Sequence, residues 1–227
     1  MQTINHVATA LLLKKKFPET PLFGLILTTE AVEYLWVGLN NTGIEKTTIG
    51  ADFLSVADVH LEHMPFSHSI ITSFILAALL GLFFFWRSRK AALAIATAVS
   101  LGVLSHVFLD LLVHAPDIAV VPFTDIPKLG TGLYAEQPLM ALMLETAWGI
   151  FCWWVFRGSL GLLALIVILE VTAIPLYSTF VNIGETALSG HSLTFALIVL
   201  VQMLATSGLV WLLAHEKAEP NHIKNAT

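Results

Sequence analysis

The chain has 227 residues, 56% of them apolar and only 12% charged, about half the charged fraction of an ordinary soluble domain. The apolar content excludes disorder and the single cysteine, Cys152, excludes a disulfide scaffold. A net charge of −5, with no basic run beyond Lys14-Lys15-Lys16, leaves no footprint for nucleic acid.

What remains is an all-α, polytopic membrane helical bundle: about six transmembrane helices plus a short N-terminal helix. In chain order, the first apolar stretch, residues 4–13, is too short to span and precedes its lysines, the reverse of a signal peptide. It reads either as a short helix capped by Asn5 that dips in from the cytoplasmic side or as an amphipathic helix on the membrane surface. Six runs of spanning length follow, residues 22–39, 69–86, 91–113, 138–156, 159–177 and 193–215. Ser67 and Ser192 are candidate N-caps, Pro138 suits a first helical turn, and Pro116 stops the third run soon after His114. The whole chain, 1–227, reads as one integral-membrane domain. It comprises a short helix over 1–16, a metal-site core over 22–156, two C-terminal transmembrane helices over 159–215 and a cytoplasmic tail over 216–227.

Lys and Arg in short loops favour the cytoplasmic side. With both termini inside, Lys14, Lys15, Lys16, Arg87, Arg89, Lys90, Arg157, Lys217 and Lys224 are cytoplasmic, and only Lys46 and Lys128 lie outside. The inner turns are tight, whereas the outer loops 40–67, 115–137 and 178–192 are long, so an elaborated site is expected on the outer face. This topology places His6 in the inner half of the bilayer.

Within the spans lie Glu30, Glu33, His106, Asp110, Glu145 and Glu170, without one Lys or Arg. A carboxylate at that depth costs several kcal/mol unless it is protonated, reaches a water-filled cavity, or meets a cation from outside the chain. At about 100° per residue, His106, Asp110 and His114 fall on one face of a helix over roughly two turns. Imidazole and carboxylate are ordinary ligands for zinc and other divalent metals. Two readings stay open: a metal site, or a helix end where His114 is wet and His106 bonds a neighbouring helix.

His68, in His63-Met64-Pro65-Phe66-Ser67-His68-Ser69, enters at the same membrane level, with Ser67 or Ser69 able to fix its tautomer. His60 and His63 read as solvated loop residues. Glu30 and Glu33 stand three residues apart on one helix face, where one can ligate while the other serves as general base, or where a protonated pair bonds nearby polar groups. Glu145 is placed to orient a ligand; Glu170 is deeper and has no evident partner. His191-Ser192 opens the last run as His68-Ser69 opens the second.

With His6, Glu33, the Pro65-Phe66-Ser67-His68-Ser69 element, Ser105-His106 with Asp110, His114-Ala115-Pro116-Asp117 and the stretch from Pro127 to Leu133, the sequence resembles a family of membrane-bound metal-dependent hydrolases, the group that includes the LexA-binding inner-membrane protein. The arrangement is also similar to the zinc-dependent phospholipase C and S1/P1 nuclease fold. The resemblance implies His6, Glu33, His68, His106 and Asp110 as ligands of a divalent metal ion, zinc by that likeness, and a phosphoester substrate. It further implies a multi-pass protein of the bacterial inner membrane. The family's usual residue in the first long helix is Asp, where this chain has Glu33.

The expected function is a membrane-embedded metal-dependent hydrolase. In it Glu30 is the general base, His114 is a ligand or steadies developing charge, and the outer loops admit a lipid-like or amphiphilic substrate from the surrounding bilayer. The alternative is a proton- or cation-coupled transporter that uses the same acids and histidines.

Overall fold

The computed structural model describes residues 1–49, 55–177 and 192–215. Residues 178–191 with His191, the side chain of Ser192, and residues 216–227 with Lys217 and Lys224 lie outside the described residues. The helices are α1 (Thr3–Lys16), α2 (Leu22–Thr29), α3 (Ala31–Asn41), α4 (Ile70–Arg87), α5 (Ala92–Leu111), the single turn α6 (Leu133–Glu136), α7 (Pro138–Phe156), α8 (Leu160–Ala173) and α9 (Ser192–His215). A 3-10 turn, Ile174–Tyr177, continues α8, and a small antiparallel hairpin of β1 (Lys46–Ile49) and β2 (Val59–His63) forms in the loop after α3. The α4, α5, α7 and α9 helices, and α8 together with the 3-10 turn that continues it, are each long and apolar enough to cross a membrane, and α2 with α3 makes a sixth, broken span. Their outer faces carry large apolar side chains such as Leu79, Trp86 and Val201, which in water would form an aggregating patch and in hydrocarbon are the ordinary surface.

Of the two expectations for α1, the surface-lying helix is overturned, and the helix that enters the bundle holds but goes deeper than a dip. The helix runs through the middle of the bundle, and every residue from Ile4 to Leu11 is buried. Ile4, Val7, Ala8 and Leu11 pack with Leu25 and Ile26 of α2, Ala98 of α5, Cys152 of α7, Leu162 and Ile166 of α8, and Val210 of α9. The buried polar side chains of α1, Asn5, His6 and Thr9, each make a hydrogen bond inside the bundle, as burial of polar groups requires. Asn5 caps nothing: the N-cap is Gln2, and Asn5 bonds α7 and α8. The start of α1 therefore lies beside the end of α5, which brings His6 to the level of His68 and corrects the inner-half placement.

The 22–39 run is also not one helix. α2 and α3 meet at Glu30 with a bend of 48°, although neither Pro nor Gly stands there. Thr28 Oγ1 and Thr29 Oγ1 donate to the carbonyls of Leu25 and Ile26, at 2.9 and 3.0 Å. Such back-bonding competes with the helical ladder and bends helices.

α4 and α5 form a close hairpin around the basic turn that contains Arg89 and Lys90. A Cβ on Gly81 would stand 2.3 Å from Ser100 Oγ, and one on Gly102 would stand 2.4 Å from Thr28 Oγ1, so these glycines let α4 and α2 approach α5. The other end of the hairpin carries His68 just before α4 and His106 with Asp110 in the last turns of α5. Pro138 occupies the first turn of α7 as expected. The cap of α4 is Ser69 rather than Ser67, and it makes no side-chain cap bond.

The carbonyls at the end of α5 are satisfied by the later loop. Thr131 N–H and Gly132 N–H donate to Leu111 and His114 at 3.1 and 2.7 Å, Tyr134 N–H donates to Val113 at 3.0 Å, and Thr131 Oγ1 donates to Leu112 at 2.8 Å. Gly130, at φ +151°, passes so close that a Cβ would meet the Ala115 carbonyl oxygen at 2.0 Å. The Pro127–Leu133 stretch thus clamps the helix end that presents Asp110 and His114.

Candidate metal centre

Five helix ends or turns deliver ionisable groups to one place. α3 supplies Glu33, the turn before α4 supplies His68, α5 supplies His106 and Asp110, the turn after it supplies His114, and α1 supplies His6. All but Glu33 and His114 are almost wholly buried; Glu33 is 19% exposed and His114 is 17% exposed. Glu33 Oε2 lies 3.4 Å from His68 Nε2 and 3.4 Å from His106 Nε2. Asp110 Oδ2 lies 3.2 Å from His106 Nε2 and 3.7 Å from His68 Nε2. The other oxygen, Asp110 Oδ1, faces His6 Nε2 at 3.3 Å and His114 Nε2 at 3.7 Å, and takes an ion pair from the Met1 amine.

The imidazoles are oriented from behind. His106 Nδ1 lies 2.9 Å from the carbonyl of Thr29, which the end of α2 leaves free, so Nδ1 carries the proton and Nε2 presents a lone pair. His68 Nδ1 lies 2.9 Å from Ser67 Oγ. That hydroxyl donates to Glu45 Oε2 at 2.5 Å and so accepts from His68. Glu45 also accepts the backbone N–H groups of Phe66 and Ser67, each at 2.8 Å. Both Nε2 lone pairs therefore point at carboxylate oxygen, the pattern in which outer partners fix metal-binding histidines. His6 stacks on His106 with ring centroids 3.8 Å apart and planes 11° from parallel. His114 lies outside the spans, and burial together with the Met1 amine pushes its pKa down to about 3, which keeps its imidazole neutral.

Two trios offer ligand atoms close enough to share an ion: Glu33 with His68 and His106, and His6 with His106 and Asp110. His106 belongs to both, and with Nδ1 committed to Thr29 its single Nε2 lone pair serves one ion at a time. The cluster opens on a cavity of about 180 Å³ whose opposite wall is apolar, formed by Trp36, Val56, Val59, Leu61, Phe195 and Val199. Tyr134 and Gln202 add polar atoms to the lining.

The structure thus gathers His6, Glu33, His68, His106, Asp110 and His114. Glu30 is fully buried, does not line the cavity, and among the described residues has no hydrogen-bond partner for either carboxylate oxygen. His60 and His63 are exposed on β2. Glu170, expected to lack a partner, accepts from Asn5 Nδ2 at 2.8 Å. Glu45 escaped the sequence reading because an acid in a polar loop looks solvated. No local signal marked it, because the N–H groups it accepts, of Phe66 and Ser67, lie more than 20 residues further along the chain.

If Glu45 sets the His68 tautomer, Glu45→Gln is expected to weaken divalent-metal affinity about 10- to 100-fold, as loss of an outer partner does. Chelator competition on detergent-solubilised protein measures this, and an unchanged affinity would show that Ser67 holds His68 alone. The chain matches no protein-family profile, no curated protein and no solved structure.

Proposed function

We propose that the protein is a membrane-embedded hydrolase that uses a divalent metal ion, with zinc the first candidate. Glu33, His68 and His106 hold the ion, while Asp110 and His6 close the other side of the cluster. One observation carries this reading: two imidazole lone pairs converge on one carboxylate oxygen at 3.4 Å, acceptor facing acceptor. On a tetrahedral zinc with bonds of about 2.1 Å, neighbouring ligand atoms stand roughly 3.4 Å apart. Three protein ligands leave a fourth position for water, the pattern of catalytic rather than structural zinc.

The metal supplies a water of lowered pKa and polarises a phosphoryl oxygen. Glu33, the most exposed acid of the cluster, faces the cavity where that water would lose its proton. Glu30 could serve as base only through its neighbours, since it does not line the cavity. His114 steadies charge beside Asp110. The polar floor and apolar wall of the cavity suit a phosphoester carried on a lipid-like molecule that comes from the bilayer. By its resemblance and its lysine and arginine distribution, we place the protein in the bacterial inner membrane with both termini cytoplasmic and the site toward the outer face.

Elemental analysis of detergent-purified protein, prepared without chelator, tests this reading. Near-stoichiometric transition metal is expected in the wild type and background levels in His106→Ala. A metal-free wild type would end the hydrolase reading. It would favour the second one, a cation- or proton-coupled carrier, which draws on Glu30: a fully buried acid with no hydrogen-bond partner among the described residues, at a break between two half-helices.

A further inference from the structure

Behind the cluster lies a second polar group that the hydrolytic reading does not use. Glu145 of α7 is fully buried and accepts three hydrogen bonds. Tyr134 Oη donates to its Oε1 at 2.6 Å, and Gln2 N–H and Asn5 Nδ2 donate to its Oε2 at 2.9 and 3.0 Å. Each donor stands next to a member of the cluster. Gln2 and Asn5 form the first turn of α1, and Asn5 immediately precedes His6. Tyr134 packs edge-on against His114, with ring centroids 5.4 Å apart.

A carboxylate at a helix N-terminus also meets the positive end of the helix dipole and binds N–H groups that have no intrahelical partner. α1 enters the site through this turn and makes no side-chain cap bond of its own. Glu145 therefore fixes how far α1 reaches toward α5. That reach decides whether His6 lies flat on His106 and within 3.3 Å of Asp110.

We propose that Glu145 is a positioning residue: by holding the first turn of α1 and the hydroxyl of Tyr134, it sets His6 and His114 against the Asp110 side of the cluster. The inference rests on the metal reading above. It adds that α1, which carries His6, is held from α7, a helix that supplies no residue of the cluster. Glu170 shares Asn5 with Glu145 but touches neither Gln2 nor Tyr134, so the anchoring falls to Glu145.

The test is a double-mutant cycle on full-length protein in detergent, read as zinc affinity by chelator competition. Glu145→Gln keeps the shape but turns one acceptor into a donor facing Gln2 N–H or Tyr134 Oη. It is expected to weaken zinc about 10- to 100-fold, as outer partners of metal ligands do. Because Glu145 acts through His6 as well as through Tyr134 and His114, Glu145→Gln is expected to weaken zinc clearly less in a His6→Ala background than in the wild type. A general loss of packing would instead add in full to the His6→Ala effect, and that additivity would overturn the proposal, as would wild-type affinity in Glu145→Gln. Tyr134→Phe, which removes one hydroxyl from the same network, covers the case in which Glu145→Gln does not fold. Its smaller loss must vanish in a His114→Ala background, and persistence there would equally overturn the proposal. A wild type that binds no zinc fails the metal reading itself, an outcome distinct from zinc binding that is indifferent to Glu145.

Discussion

Asp110→Asn is expected to leave a folded protein without metal. Both oxygens of Asp110 are in use, Oδ2 toward His106 and His68 and Oδ1 toward His6 and His114, and the residue is 2% exposed. An asparagine of the same shape keeps one oxygen and puts an amide N–H where the other stood. That N–H can donate to the His106 lone pair, so the buried ring stays partnered, but it cannot ligate and carries no charge to offset a cation. The loss of affinity should exceed the roughly 10- to 100-fold typical of outer partners, because the substituted atom faces ligands directly. Asp110→Ala should empty the position as well and also destabilise the fold, since the buried Met1 amine loses its ion-pair partner; leaving a buried polar group unsatisfied costs about 1–3 kcal/mol. Elemental analysis with thermal melting in detergent separates the two variants. Stoichiometric metal in Asp110→Asn would show that the Glu33–His68–His106 trio holds the ion without this carboxylate.

Much of this centre was legible before any coordinates, for one physical reason. Hydrocarbon makes an unpaired charge so costly that each ionisable residue in an apolar run marks a built environment, and helical phase then aligns His106, Asp110 and His114. Periodicity could not show what joins them from a distance. Asn5 meets Glu145 and Glu170 across separations of 140 and 165 residues, so no local pattern carried the network. α1 was misplaced because a 14-residue helix is too short to span by itself; the sequence shows length, whereas burial on all faces depends on five neighbouring helices. The break at Glu30 was hidden because Thr28 and Thr29 look neutral within an apolar run, and their hydroxyls act only through backbone carbonyls. That break matters to the site, because it frees the Thr29 carbonyl to fix His106 and redirects α3 so that Glu33 points at the histidines while Glu30 does not line the cavity.

The geometry of that break leads to the last expected result. By the resemblance on which the proposed function draws, Asp is the expected residue in the first long helix, so Glu33→Asp looks like a restoration. The structure argues that it is a loss. Glu33 Oε2 stands at 3.4 Å from both His68 and His106, and removing one methylene withdraws the carboxylate by about 1.5 Å, the length of a carbon–carbon bond. The bend between α2 and α3 sets the Cα of Glu33 for the longer side chain, and α3 cannot follow, because Trp36 is buried and donates to Thr47 Oγ1 at 2.9 Å. Glu33→Asp is therefore expected to weaken metal binding by at least tenfold and to lower the hydrolysis of bis(p-nitrophenyl) phosphate in proportion, because a ligand about 1 Å out of place forfeits most of its contribution. Glu33→Gln keeps the length and removes the charge, and should lose metal altogether. The comparison separates reach from charge: if Glu33→Asp binds metal and hydrolyses the ester as well as the wild type, the residue acts only as a nearby negative charge, and the ion sits on the His6–His106–Asp110 trio instead.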